Sequence, residues 1–280
     1  MSAPVIMLVD NGSRCAAATL SLRALAAGLG AATGHLVHPV SLQHSNKIPV
    51  DELRGSPAQL FPEFLRGQLE QGQRDFVLVP LFFGNSRALT AYVPEQSGLL
   101  EREFGPFRLR QAAVLSPMPQ GEPRLADILA EHVAHCTAEL GAEPTRVIVV
   151  DHGSPLPEVT AVRAKVTMQL RERLADGVSL GQAVMERRQG PEYDFNGQLL
   201  GDLLDSCVSG GRKASVVLAM MFVSPGRHAG EGGDIDTICA DAMARNPGLR
   251  VKVSPLVGEH PLLIEILRDR LEAVLRSLPQ

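Results

Sequence analysis

The sequence has no tryptophan and only two tyrosines, and aromatic residues fill just 4% of its 280 positions. Cysteine is nearly as sparse: Cys15, Cys136, Cys207 and Cys239 stand far apart, with no C-x-x-C pair. That spacing excludes a cysteine-built zinc site, a redox dithiol or an iron–sulfur cluster, and reads as four reduced thiols in a cytoplasmic protein. Positive charge is not in excess. With 27 basic against 31 acidic residues the net charge is −4, the opposite of what a generic nucleic-acid binder needs to neutralise phosphates. Long hydrophobic runs are missing too. The longest, Val216 to Val223, is strand-sized and far short of the roughly 18 residues that span a bilayer. The N-terminal stretch MSAPVIMLVD has no basic residues before its apolar run, so neither a secretion signal nor a membrane anchor is expected.

What is present is the composition of a globular protein, 45% hydrophobic and 21% charged, in a chain long enough for two domains with separate cores. Three segments recur in the same order. VIMLVDNGS, ending at Ser13, answers RVIVVDHGS, ending at Ser154, 141 positions later. FVLVPLFFGNSR, ending at Arg87, answers SVVLAMMFVSPGR, ending at Arg227, 140 positions later with one residue of slack. Ser116-Pro117 and Glu122-Pro123 answer Ser254-Pro255 and His260-Pro261 at an offset of 138. Offsets this constant point to an internal duplication. The Gly/Pro-containing stretch from Gly141 to Pro144 is the natural joint, giving halves of 1–142 and 143–280.

Each half alternates apolar strands with helices. In the first, strands are expected at Pro4 to Asp10, up to Val40, at Phe76 to Phe83 and at Leu109 to Leu115, with helices over Ala16 to Leu29, Pro57 to Gln71, 89–103 and 123–140. In the second, strands are expected near 146–151, 179–185, 214–223 and 249–254. Strands that are apolar throughout and separated by helices imply a parallel sheet covered on both faces. The expected architecture is therefore α/β: two homologous, doubly wound, flavodoxin-like domains with a cleft between them. Ligands of such sheets bind beyond the carboxyl ends of the strands, so functional residues should follow the strands.

After the first strand of the second half comes Asp151-His152-Gly153-Ser154. A lone histidine there would ordinarily just bond its own loop. After the third strand, however, comes Ser224-Pro225-Gly226-Arg227-His228-Ala229-Gly230, running on to Asp234. Neighbouring strands bring their ends together, so two imidazoles at one sheet edge mean more than either alone. The second strand runs into Met185-Glu186-Arg187-Arg188, a solvated charge run in isolation but a carboxylate and two guanidinium groups in this setting. His260, in Gly258-Glu259-His260-Pro261, precedes a helix and reads as structural.

His-Gly-Ser, Ser-Pro-Gly-Arg-His-Ala-Gly and Gly-Glu-His-Pro, in that order, resemble the sirohydrochlorin chelatases of the CbiX and SirB type, class II chelatases related to ferrochelatase, in the long form with two fused halves. The resemblance implies insertion of a divalent metal, cobalt or iron with nickel also compatible, into sirohydrochlorin or a related tetrapyrrole, in cobalamin or siroheme biosynthesis. It implies metal ligands and proton acceptors at His152 and His228, with Glu186 beside them. Arg187, Arg188, Arg227 and Ser154 are then candidates to hold the carboxylate arms of the macrocycle. Imidazole suits these metals, and two protein ligands leave coordination positions open for pyrrole nitrogens. The metal is a substrate, and no permanently bound cofactor is expected. Partners are the tetrapyrrole and the metal ion, with no nucleic acid or membrane, in a monomer or homodimer.

The repeat locates the chemistry in one half. Asn11 stands where the second half has His152, Ala88 falls opposite His228, and Gln43 falls opposite Glu186. Only His44 and Arg87 keep a cation or imidazole nearby, so the first half is expected to form an opposing wall, with Arg87, Tyr92 and Gln96 against the tetrapyrrole. Two rivals stand beside this reading: a carrier or regulator that binds metal or tetrapyrrole without turnover, and a nucleotide-binding enzyme using the Gly-rich loop at 226–233. The second lacks both G-x-x-x-x-G-K-[ST] and G-x-G-x-x-G.

Overall fold

The structure, a computed structural model, describes residues 3–208 and 213–277. Eight strands and eight α-helices alternate through the described residues. The first sheet takes β1 (Val5–Asp10), β2 (Val37–Ser41), β3 (Asp75–Pro80) and β4 (Arg108–Gln111), interleaved with α1 (Ala16–Thr33), α2 (Phe61–Glu70) and α3 (Val93–Phe104). After α4 (Pro123–Leu140), the second takes β5 (Arg146–Asp151), β6 (Ser179–Val184), β7 (Ala214–Met220) and β8 (Leu249–Val253). These are interleaved with α5 (Pro157–Arg171), α6 (Leu200–Ser206) and α7 (Asp234–Arg245), and α8 (Leu262–Arg276) follows.

Both sheets are parallel and share one order, β2-β1-β3-β4 and β6-β5-β7-β8. The central strands are apolar on both faces because helices cover both. VIMLVD of β1 and RVIVVD of β5 are buried along almost their whole length. The less apolar sequences RLRQ and SLGQAV sit at the edges. This is the doubly wound α/β architecture expected from the alternation of strands and helices.

The compact units are cut differently from the sequence halves. One comprises Met1–Pro117 with Pro261–Gln280, the other Met118–His260. The joint at 142/143 separates the two sheets, but each sheet is completed by the last helix of the opposite half. In unit 1, α8 packs on α1 and β3, with Ile264 against Gly28 and the Arg270 guanidinium on the Val114 and Leu115 carbonyls. In unit 2, α4 packs on α5, β7 and β8, and Arg173 bonds Asp127 at 2.5 Å. Hydrophobic periodicity shows that a helix buries a face, not which sheet it buries that face against.

β3, which stops at Pro80, and two further strands end earlier than their apolar runs. β7 stops at Met220 and β4 at Gln111, because the chain beyond leaves the ladder and forms a second layer of contacts. The Phe82 and Phe83 carbonyls accept from the amides of Leu115 and Ser116, and the Phe222 and Val223 carbonyls from Val257 and Gly258. These bonds also correct the third sequence match. Ser116 is equivalent to Gly258, and Ser254 to Ala112, whose amides bond the Leu218 and Leu78 carbonyls. The two Ser-Pro pairs are thus not counterparts. The first half has a longer turn before α4 than the second has before α8, which shifts the offset between strands and helices.

The helix α1 is long and apolar enough to cross a membrane by length and composition, although polar residues interrupt its apolar run. Here it is a core helix: Ala18, Leu22, Leu25, Ala26 and Leu29 are buried and Arg23 bonds the carbonyls of Leu53, Ser56 and Pro57.

Candidate active site

The site of unit 2 is built on the carboxyl ends of β5, β6 and β7. β5 is hydrogen-bonded to both neighbours, so residues just past the three strand ends are forced together. Met185 N–H donates to the Asp151 carbonyl and Glu186 N–H to the His152 carbonyl, continuing the pairing by two residues. Gly153 then turns the chain at φ +92°, where a Cβ would lie 2.1 Å from the Glu186 carbonyl oxygen. Only glycine fits such an approach.

On the other side, Ser224 to Gly233 folds into a compact loop before α7. Gly226 N–H donates to Ala229, Asp234 N–H to Arg227 and Ile235 N–H to the His228 carbonyl. Ala229 is buried in the core of the unit, which anchors the loop and leaves the neighbouring imidazole at the strand ends.

The result is an imidazole pair with a carboxylate on each member. The His152 and His228 rings meet edge to face with centroids 4.7 Å apart. Glu186 Oε1 lies 3.2 Å from His152 Nε2, and Asp234 Oδ2 lies 2.6 Å from His228 Nδ1. His152 Nδ1 is 3.2 Å from the Gly153 carbonyl. The His228 side chain is 32% exposed and that of His152 45%, so the pair is open to a ligand from solvent. A proton on His228 Nδ1 donated to Asp234 leaves Nε2 as a free lone pair, the form that binds a metal. Among the described residues no three His, Cys, Asp or Glu side chains are grouped to enclose an ion.

The remaining candidates occupy the same rim but have local partners. Arg187 pairs with Asp194 at 3.0 Å and bonds the Gly197 carbonyl. Arg188 lies over the Tyr193 ring, 5.8 Å from its centroid. The Arg227 side chain is 83% exposed, with Nε 3.8 Å from Asp234, which makes it the freest of the three to meet an incoming anion. Ser154 has its hydroxyl on the Leu156 amide, while its own N–H and carbonyl are held by Asn196. His260 pairs with Glu131 at 2.9 Å and meets the His132 ring edge to face. Burial and the proximity of His260 push His132 below the usual histidine range.

Two groups of residues escaped the reading of the sequence. Asp234 is one. It lies six positions beyond His228, across Ala229, Glu231 and three glycines, and no simple spacing rule joins them. The other lies beneath His152, where Asp151 is buried and bonded to Arg163 at 2.5 Å. Burial pushes the Asp151 carboxyl up, and the guanidinium pulls it back.

Unit 1 repeats the backbone of this site with different side chains. Leu42 N–H donates to Asp10 and Gln43 N–H to Asn11, and a Cβ on Gly12 would lie 1.7 Å from the Gln43 carbonyl oxygen. Asn11 and Gln43 thus occupy the places of His152 and Glu186. The loop carrying Ala88 to Tyr92 is a single π-helical turn leading into α3, unlike the glycine loop of unit 2. Tyr92 donates its hydroxyl to the Leu42 carbonyl.

Residues 146–274 match the CbiX family model. Among curated proteins, the chloroplastic sirohydrochlorin ferrochelatase of Arabidopsis thaliana is 27% identical over 126 residues, 45% of this chain, and the match spans about half (51%) of that protein's length. SirB from Bacillus subtilis with Fe3+ superposes with a TM-score of 0.66 at 17% identity, covering 97% of this chain and 95% of that one. The sirohydrochlorin chelatase SirB from Bacillus subtilis subspecies spizizenii, in complex with cobalt, gives 0.64 at 16% identity, covering 98% and 96%. A third structure, of CbiX described as the terminal enzyme for siroheme biosynthesis in denitrifying bacteria, gives 0.60 at 14% identity over 99% of this chain and all (100%) of that one. At these identities the structural likeness carries the two-domain fold, and the family match carries the second half.

Proposed function

We propose that the chain is a chelatase of the CbiX/SirB type and that it inserts a divalent metal ion, iron or cobalt, into sirohydrochlorin on the way to siroheme or cobalamin. The observation that carries the reading is the His152–His228 pair with a carboxylate on each imidazole.

Insertion exchanges one M²⁺ for two pyrrole N–H protons, so the site must both present a metal and accept two protons. Two imidazoles offer nitrogen donors of the right softness and leave coordination positions for the macrocycle. The flanking Glu186 and Asp234 give each imidazole a neighbour to stabilise the imidazolium once a proton has been taken. Partial exposure suits a transient metal, since a substrate ion has to leave with the product. Arg227, and Arg187 and Arg188 on the β6 loop, supply guanidinium groups for the peripheral carboxylates.

We also infer that the halves arose by duplication and that the chain has one active centre, because Asn11, Gln43 and Ala88 offer neither imidazole nor carboxylate and cannot take two protons near neutral pH. Anaerobic mixing of the purified protein with sirohydrochlorin and Fe²⁺ or Co²⁺, followed by visible absorbance, tests the proposal. Accelerated conversion to the metallated spectrum is expected. Binding of the macrocycle without acceleration would instead assign the protein as a carrier.

A further inference from the structure

One buried arginine fixes the distance between the turn that carries His152 and the loop that carries Glu186. Arg163, on α5, is only 2% exposed and sends its donors in three directions: Nη1 to Asp151 Oδ1 at 2.5 Å, Nε to Gln182 Oε1 at 3.1 Å and Nη2 to the Asn196 carbonyl at 2.6 Å. Asp151 Oδ1 also accepts from Gly153 N–H at 3.1 Å. Asn196 extends the frame. Its Oδ1 accepts from Ser154 N–H at 3.0 Å and from the Thr160 hydroxyl at 3.1 Å, and its Nδ2 donates to the carbonyls of Ser154 and Tyr193. His152 is therefore flanked by bonds that all lead back to one guanidinium. Gln182 and Asn196 stand on either side of Glu186, so the same group holds the other loop.

Unit 1 shows this position without the arginine. Leu22 stands in place of Arg163, Pro39 in place of Gln182 across the β1–β2 register and Pro57 in place of Asn196. Asp10 and Thr19, counterparts of Asp151 and Thr160, are retained, but Asp10 Oδ1 and the Thr19 hydroxyl are buried without a partner. A cavity of about 290 Å³ has opened there, lined among others by Thr19, Leu22, Pro39, Ser41 and Pro57. The half that lost the histidine also lost the frame beneath it.

We infer that Arg163 is a positioning residue for the metal-insertion site, acting through Asp151 and Asn196 on the His152 turn and the Glu186 loop. The inference rests on the reading of His152 as a site residue. Lysine cannot replace it, since a point ammonium lacks the planar fork that meets three acceptors in different directions.

The test compares the full chain with Arg163→Leu, which copies unit 1, and with Asp151→Asn/Arg163→Leu, which removes the buried charge that the single change would strand. Amide hydrogen exchange is read at Gly153 and Ser154 against Val149 and Leu218 in the strands, and metal insertion is read as kcat and KM for the tetrapyrrole. Exchange at the two turn amides should quicken at least about tenfold with the strand amides unchanged. The kcat should fall roughly tenfold to a hundredfold with little change in KM, as for a displaced catalytic group. If the single variant does not fold, the double variant decides both readouts. Wild-type exchange at Gly153 and Ser154, a loss spread evenly over the strands, or an unaltered kcat would overturn the inference. A wild-type protein that inserts no metal would fail the functional reading alone, because the exchange arm still decides whether Arg163 orders the turn.

Discussion

Asp234 Oδ2 lies 2.6 Å from His228 Nδ1, and this contact fixes which nitrogen of His228 faces outward. Carboxylates that orient a metal-binding imidazole typically contribute 10–100-fold to affinity or activity. Asp234→Asn is therefore expected to lower metal insertion by about that factor, measured as initial rates over a cobalt titration. An unchanged rate would remove Asp234 from the site.

Asp10 gives a pH prediction with a definite sign. Burial without a guanidinium partner pushes its carboxyl up to about 6 from the ordinary 3.8. The folded state then holds the proton more tightly than the unfolded state. The stabilisation is full below about pH 4 and is lost as pH rises through 6, a span on the order of 3 kcal/mol. Asp10→Asn should raise the thermal midpoint at pH 7.5 and flatten its dependence between pH 4 and 6. A midpoint lowered at pH 7.5 would mean that the ionised carboxylate is stabilising.

A Cβ on Gly153 would lie 2.1 Å from the carbonyl oxygen of the neighbouring loop, and one on Gly12 1.7 Å from its own neighbour's. Alanine at either should destabilise its unit by a few kcal/mol, through positive φ and the steric clash together. Only Gly153→Ala should also impair metal insertion in the molecules that remain folded. Denaturant unfolding and rate measurements on both variants separate the two effects.

Asn11→Ala asks whether unit 1 carries chemistry. Its side chain occupies the place of His152 but can accept no proton near neutral pH. Its replacement is expected to leave kcat where it was, as judged by the same insertion assay. A kcat reduced in parallel with that of the His152 variant would mean that both halves take part.

The sequence exposed whatever repeats along the chain. The apolar strands of β1 and β5, the turns after them and the contrast of Asn11 with His152 could all be read from spacing, because parallel order and strand-end location follow from simple packing rules. Glu186 was within reach for the same reason, two residues beyond β6. What stayed hidden depends on approach through space. Arg163 looks like any helical arginine until α5 buries it over Asp151, Asp234 meets His228 only after the glycine loop folds back, and the exchange of α4 and α8 between sequence halves leaves no periodic trace. The mismatched Ser-Pro pairs show the opposite error, in which a shared dipeptide suggests an equivalence that the strand ladders contradict.

The central claim is that His152 and His228 together perform the insertion. The most direct measurement is the rate of cobalt or iron insertion into sirohydrochlorin by His152→Ala and His228→Ala beside the unaltered protein. Each variant should lose at least about a hundredfold in kcat while remaining folded. Full activity in either variant would contradict the account.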